Sequence, residues 1–566
     1  MQAQIQVGPL LSDEDWTDLA ELMGADESLL VQQLLGDYRA AGAKAYLLER
    51  AYIDRDFSAA YSAFYSTLFH PYLKYCQRFH FFGCDLSHLA TIGNAEGLSR
   101  EVESHAGEYL GYVVLRPVSH APVAAAVISA AAIASDPSTI LDVTADYPVH
   151  VVGADLTVTG FPLTQQDTRV GACAQAAIWM AGRHFHRAHG GPWFSMPDIN
   201  DAALKPTDNF VTRSLPAGSE FLRPDNIIRA LRAMDRHPVF DLGKAAVEQG
   251  VGIKPLQEVI GRYLDSGIPV LIGLKGRDGA TVGHAVVAIG RVMRERGEDD
   301  LPDDPTSAEL ISHLIVADDQ RGPVCRLPVY KDDALPEGTP GAYPWTLEED
   351  AVYSVTPLPG KVFMSGEIAE TLSRDFLASC VDRLDEYREL AKMRAGEGSA
   401  ALGKAIAVDP SFFAVPPSRL VARTYLTYGW RYKGRALRNR LPEIFKLEIF
   451  RHQYPRYVWV TEFSLPDDLR GFDQCQRKVR AHVVVDATGS KFGESMLIVQ
   501  VPGLSMFWTF DADSPTQTYN LIFRATDEAE PFLPKVRNWS DFDQCEVPDN
   551  GSGAEAQPAE QAAPPG

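Results

Sequence analysis

Three patterns in the sequence predict an α+β protein of several domains. Apolar residues at helical spacing fill residues 14–80, short β-branched runs bounded by Pro and Gly begin near residue 109, and the two patterns alternate through the middle of the chain. The 566 residues exceed a single core, because at roughly 100–200 residues per domain they allow about three to five domains. The expected layout is a mainly helical N-terminal region (1–108), a β-rich connecting segment (109–149), a central α+β domain (150–335), a mixed α/β C-terminal domain (345–540) and a disordered tail (548–566).

The N-terminal region is read from the helical spacing of Leu29, Leu30, Gln33, Leu34 and Tyr38. Phe57, Tyr61, Phe64, Tyr65, Phe69 and Tyr72 follow as an aromatic stripe expected to be core. The runs YLGYVVLRPV from Tyr109 and VHVVGADLTVTG from Val149 predict strands. Ala121 to Ala134, the longest apolar stretch, contains Pro122 and falls short of the ~20 residues that cross a membrane, so a buried strand or helix is expected. The Pro and Gly cluster Leu335 to Pro344 marks a boundary. Beyond it, residues 365–395 predict a pair of helices, and AHVVVDATG and ESMLIVQV predict strands within Val458 to Phe510. The Gly, Ser, Ala, Gln and Pro composition after Pro548 predicts disorder. The tetrapeptide FDQC recurs at Phe472 and Phe542 without surrounding similarity, so no internal repeat is read from it.

Lys plus Arg number 53 against 75 Asp plus Glu, and the formal net charge of −22 argues against a surface built to grip nucleic acid or anionic lipid. Hydrophobic residues at 45% supply ample core, which excludes disorder over most of the length. The seven cysteines, at 76, 84, 173, 325, 380, 475 and 545, are odd in number, scattered and never in C-x-x-C spacing. Neither a disulfide framework nor a structural zinc site is indicated, and a reducing compartment fits. MQAQIQVGPLLSDEDW has no basic run followed by an apolar core, so a cytoplasmic protein without a signal peptide is expected.

The chemistry concentrates in two segments. In PLTQQDTRVGACAQAAIWMAGRHFHRAHGG, Cys173 follows a polar, Gly-containing loop and opens an apolar helical run through Ala176, Ala177 and Met180. Unpaired N–H groups in a first helical turn favour thiolate over thiol, which makes a cysteine nucleophilic; the alternative is a small buried residue. Gln166 and Gln165 lie upstream where a side-chain amide could be aimed at an oxyanion beside the sulfur, with the Cys173 N–H as second donor. In VGHAVVAIGRV, His284 enters a β-branched run read as a central strand, where it can face a cleft as a base. The next strand, SHLIVADDQRGPV, ends in Asp318 and Asp319, either of which could orient His284 and stabilise its imidazolium. Alternation along a regular strand lets only one of the two face the cleft.

A Cys at a helix start, then a His on a strand, then an Asp at the end of the next strand: in this order the chain resembles the papain-like cysteine peptidases over about residues 150–335. It is similar to the bacterial branch that includes bacteriocin-leader peptidases. In that branch a hydrophobic strand is followed by D-P-x-x-G, and Asp318-Asp319-Gln320-Arg321-Gly322 matches except that Asp319 replaces the proline. The resemblance implies a papain-like central domain with Cys173 as nucleophile, His284 as base and then acid, and Asp318 as orienter. Gln166, with Gln165 behind it, is implied as the oxyanion donor. Two departures are visible: that glutamine usually stands about six residues before the cysteine, and Cys-Gly or Cys-Trp usually stands where this chain has Cys173-Ala174-Gln175. The implied activity is a cysteine-dependent peptidase or isopeptidase that acts on a protein or peptide, needs no cofactor, and uses its flanking domains to select substrate or hold a protein partner. A transglutaminase-like acyltransferase with the same triad and a non-catalytic binding protein on the same scaffold stay open as alternatives.

The remaining conspicuous segments are assigned to structure. MRERGEDDLPDDPTSAEL, from Met293 to Leu310, is expected as an exposed insertion between two paired strands; Asp299, Asp300, Asp303 and Asp304 lack EF-hand spacing. His184, His186 and His189 fall in the last turns of a helix before Gly190-Gly191, where the helix C-terminus favours them, and HExxH geometry is absent. The basic and aromatic run from Ser418 to Arg440 has the composition of a nucleic-acid stacking surface. A strand with Arg outside and Tyr inside is preferred, because no nucleic-acid fold signature accompanies it. No phosphate-binding Gly-rich motif is present, so neither nucleotide nor nucleic acid is an expected partner.

Overall fold

The computed structural model describes residues 5–523 apart from 134–135, 168–171, 206–221, 247–253, 278–282, 337, 387–409, 439–442, 470–478, 490–493, 503 and 511–516. The expected tail and both FDQC copies lie outside the described residues. Three antiparallel sheets organise the rest, with six, seven and six strands in chain order, beside a two-stranded hairpin, Ala145–Val151 with Ala154–Gly160.

The N-terminal sheet runs Ile5–Pro9, Ala45–Tyr52, Cys76–Phe82, Tyr109–Leu115, Val123–Ile128 and Pro162–Leu163. Its helices start where side chains satisfy free N–H groups. Ser12 and Asp15 cap Asp13–Met23 reciprocally, and Ser28, Asp54 and Asn94 accept from Val31, Phe57 and Gly97 to open Leu29–Ala40, Arg55–Ala63 and Ala95–Ser104. The region expected to be mainly helical is thus sheet-centred: three of these strands lie before residue 109. Ala45–Tyr52 and Cys76–Phe82 escape sequence reading because both faces are covered, by Leu34 and Tyr38 against Tyr46 and Phe81, and by Tyr147 and Val149 against Leu47 and Phe82. Period-2 alternation is lost when neither face meets water. Phe57 and Tyr65 of the aromatic stripe are core, whereas Phe69 is exposed.

The central sheet runs Arg236–Leu242, Ala351–Pro359, Val270–Leu274, His284–Met293, Ile311–Asp318 and Gly322–Pro328. Thr139–Leu141 pairs with the far end of His284–Met293. This sheet crosses both expected boundaries, drawing one strand from before residue 150 and another from after the Pro and Gly cluster at 335–344. Long-range pairing fixes such membership, and no local signal records it. Helix Cys173–His189 packs on the sheet.

The C-terminal sheet runs in chain order through Val421–Tyr428, Tyr457–Ser464, Ala481–Asp486, Met496–Val501, Leu504–Phe510 and Gln517–Phe523, with helix Gly366–Asp382 across one face. It joins the central sheet through buried charge. Arg423 binds Asp265 at 2.7 Å and Glu462 at 3.0 Å, and Arg291 reaches Asp265 at 2.6 Å and Asp142 at 2.9 Å. Arg423 therefore points inward, contrary to the arginine-outside expectation, because Asp265 at the end of helix Leu256–Asp265 and Glu462 on the neighbouring strand Tyr457–Ser464 neutralise it. The acidic segment after Met293 is likewise not a free loop. Leu301 and Ala308 are buried, Thr306 bridges to Ala422, and Arg374 and Arg419 hold backbone carbonyls of Asp304, Pro305 and Leu301. One apolar core runs through all three sheets. Among the described residues, no helix is long and apolar enough to cross a membrane.

Candidate active site

Cys173 is the first residue of a 17-residue helix. Ala172 precedes it in extended conformation, and its N–H is accepted by Gln175 Oε1 at 3.1 Å, which fixes the chain's entry into the helix. Every residue from Cys173 to Phe185 is buried, so the helix is anchored along its length and the sulfur sits at its positive end. At the other end Gly190 adopts φ 65°, and His186 Nδ1 donates to Gly191 O at 2.7 Å. The three helix histidines stay at that end, away from Cys173.

His284 opens the strand His284–Met293, which is buried throughout and flanked by Val270–Leu274 and Ile311–Asp318. Gly273, on the first of these neighbours, has the Tyr353 ring lying over it, 2.3 Å from where a Cβ would stand, so only glycine fits. His284 Nε2 donates to Asp318 Oδ1 at 3.0 Å, and the ring is also hydrogen-bonded to the Cys173 side chain, which leaves Nδ1 for the sulfur. Burial opposes charge on the imidazole. The hydrogen bonds to Asp318 and Cys173 and the charges of Asp318 and Asp319 outweigh it, carrying His284 up to about 10. Trp345 stacks on the ring at 5.4 Å between centroids and 23° between planes.

Asp318 is fully buried and fully engaged. Its Oδ1 accepts from His284 and from Gln320 N–H at 2.9 Å, and its Oδ2 from Tyr343 OH at 2.7 Å. Burial raises its pKa, but these donors and the His284 charge hold the carboxyl below the usual range. Gly322 closes the turn at φ 139° opposite Asp318, the conformation that the glycine of the D-x-x-x-G spacing supplies.

Asp319 departs from the alternation argument. The register shifts after Val316, and both aspartates turn inward, with Asp319 Oδ1 4.0 Å from His284 Nε2, buried and without a hydrogen-bond partner. Burial drives the Asp319 carboxyl up to about 7, the Asp318 charge adding to the rise and the His284 charge and Gln166 N–H partly opposing it. Gln166 is drawn to the site through its backbone, its N–H donating to Asp319 Oδ2 at 3.3 Å. Gln165 is committed elsewhere: its Oε1 accepts from Val123 N–H at 3.1 Å, and its carbonyl accepts from Arg116.

Cys173, His284 and Asp318 are thus one hydrogen-bonded chain, with Asp319 and the Gln166 backbone beside it. Tyr343, Trp345 and Tyr353 also shape the site and were not read from the sequence. Burial, followed by the charge on Cys173, pushes the Tyr353 hydroxyl up to about 12. Two of these aromatics lie in or beside the Pro and Gly cluster that reads as a linker; aromatic residues in so turn-rich a segment were the available signal. His284, Asp318 and Asp319 bring three ligand-type atoms within 4.8 Å of one another, but Asp318 is already taken up by three donors, His284, Gln320 N–H and Tyr343 OH, and His284 by Asp318 and Cys173. No protein-family model, curated protein or solved structure matches the chain.

Proposed function

We propose that the chain is a cysteine-dependent hydrolase of peptide or isopeptide bonds. Cys173 Sγ attacks the carbonyl carbon, and the oxyanion is held by the Cys173 N–H and by an amide from the Gln166 loop. The C–N bond breaks as His284 gives its proton to the leaving amine. His284 then takes a proton from water, the hydroxide attacks the thioester, and the C–S bond breaks to return the thiolate. Asp318 keeps its proton off throughout and holds the imidazole in place.

The observation that carries this proposal is the continuous hydrogen bonding from Cys173 through His284 to Asp318 at the start of a long helix. A raised His284 pKa supports it further, since an imidazolium present at neutral pH is ready to protonate the leaving group. Five free thiols among the described residues fit a reducing, cytoplasmic setting. The flanking sheets would select a protein or peptide substrate. The test uses a substrate that makes no demand on specificity: the full chain is mixed with p-nitrophenyl acetate and with a panel of quenched peptides and isopeptides, beside Cys173→Ala. A burst of nitrophenol with an acetyl group on Cys173, and amide turnover lost in the variant, are expected. No acetylation of Cys173 would overturn the proposal.

A further inference from the structure

We propose that His88, Glu101 and His105 bind a divalent transition-metal ion of the zinc class at the margin of the N-terminal sheet. His88 lies on the short turn Ser87–Thr91, Glu101 on the helix Ala95–Ser104, and His105 caps that helix one turn later. Two imidazole nitrogens converge on one carboxylate oxygen: His88 Nε2 is hydrogen-bonded to Glu101 Oε1 at 3.0 Å, a half-exposed contact that a bound ion would replace, and His105 Nε2 is 3.6 Å from the same oxygen. All three atoms lie within 4.8 Å of one another. An ion with tetrahedral bonds of about 2.0 Å holds its ligand atoms about 3.3 Å apart, so two of the three spacings already suit a coordination tetrahedron. Nitrogen with one carboxylate is the donor set of zinc and its neighbours, whereas magnesium and calcium take oxygen.

A second observation points to the same ion. His105 Nε2 is buried and has no hydrogen-bond partner, an arrangement that costs stability unless something occupies it. The other nitrogen of that ring is held in place, with Nδ1 3.5 Å from Cys84 Sγ and 3.7 Å from Glu108 Oε2. Metal-binding histidines are oriented in this way, one nitrogen on the ion and the other on a carboxylate or similar group. Glu101 and His88 are half-exposed, which leaves the fourth position to water. All these residues belong to the link between the paired strands Cys76–Phe82 and Tyr109–Leu115, so the ion would clamp that link. Neither C-x-x-C nor HExxH spacing is involved, which is why the sequence gives no warning of it.

The test titrates the full chain, stripped with chelator, with Co2+ and follows the visible bands of tetrahedral cobalt. One equivalent bound and displaced by Zn2+ is expected, with the affinity at least tenfold weaker in His88→Ala and in Glu101→Gln, two half-exposed positions whose replacement spares the core. His284→Gln, which dismantles the buried His284, Asp318 and Asp319 cluster, is expected to leave the affinity unchanged. The melting temperature should rise with Zn2+ in the parent chain and not in His88→Ala. Absence of tetrahedral bands, equal affinity in the two surface variants, or loss of binding in His284→Gln would each overturn the proposal.

Discussion

Replacing each aspartate beside His284 by asparagine should separate an orienting carboxylate from a bystander. Distance alone does not distinguish them: at an effective dielectric constant of about 20, a charged carboxylate at 3.0 Å from His284 Nε2 and one at 4.0 Å are worth roughly 5.5 and 4 kcal/mol to the imidazolium. Two other features do. Asp318 alone accepts the ring N–H, and Asp319, its carboxyl pushed up to about 7 by burial, is mostly protonated at pH 6 and so carries little charge there. Asp318→Asn is therefore expected to slow acetylation of Cys173 by an activated ester at least about tenfold, or about 1.4 kcal/mol, at both pH 6 and pH 8. The corresponding change in a serine triad costs about four orders of magnitude, and a cysteine already paired with an imidazole should lose less. Asp319→Asn should stay within about twofold at pH 6, its effect emerging only above pH 7 as the carboxyl ionises. Equal losses at pH 6, or the reverse ranking, would refute the assignment of Asp318.

Three stability predictions follow from the same geometry. Because burial raises the folded-state pKa of Asp319 to about 7 from its ordinary value of 3.8, its contribution to stability is complete below pH 4 and declines as the pH rises through 7. Between pH 4 and pH 8 the parent chain should lose up to about 4 kcal/mol relative to Asp319→Asn in urea unfolding, and parallel curves would show that the carboxyl does not titrate there. Shortening the acidic segment after Met293, or changing Leu301→Ala, should lower the melting temperature, the single change costing about 2 kcal/mol or more of stability, since Leu301 is buried and Arg419 holds its carbonyl. An unchanged melt would mean that the segment does not pack. Arg423→Ala should cost about 3 kcal/mol by leaving Asp265 and Glu462 short of a buried cation, and a cost near that of a surface change would contradict the network.

The site was more legible than the frame around it. Cys173, His284 and Asp318 stand at element boundaries that local signals mark: a helix start after a Gly-containing loop, the mouth of a β-branched run, and a strand end followed by Gly322. What failed was what depends on partners distant in sequence. Ala45–Tyr52 and Cys76–Phe82 are covered on both faces and so show no alternation, while Ala351–Pro359 joins the central sheet from beyond an apparent linker. Alternation misjudged Asp319 because the register shifts at the strand end, a local irregularity that sequence does not encode. Arg423 misled for a related reason: an arginine among tyrosines reads as a surface residue until Asp265 and Glu462 arrive from two other elements.

The central claim is that Cys173 is a nucleophile made reactive by His284, and competitive alkylation tests it most directly. Burial pushes the Cys76 and Cys380 thiols up to about 12 and raises those of Cys84 and Cys325, so none of these four offers appreciable thiolate near neutral pH. After a brief exposure of the native chain to iodoacetamide at pH 6, peptide mass spectrometry should find Cys173 modified at least about tenfold faster than those four, with that advantage abolished in His284→Ala. Cys173 reacting no faster than Cys84 or Cys325, or equally fast without His284, would contradict it.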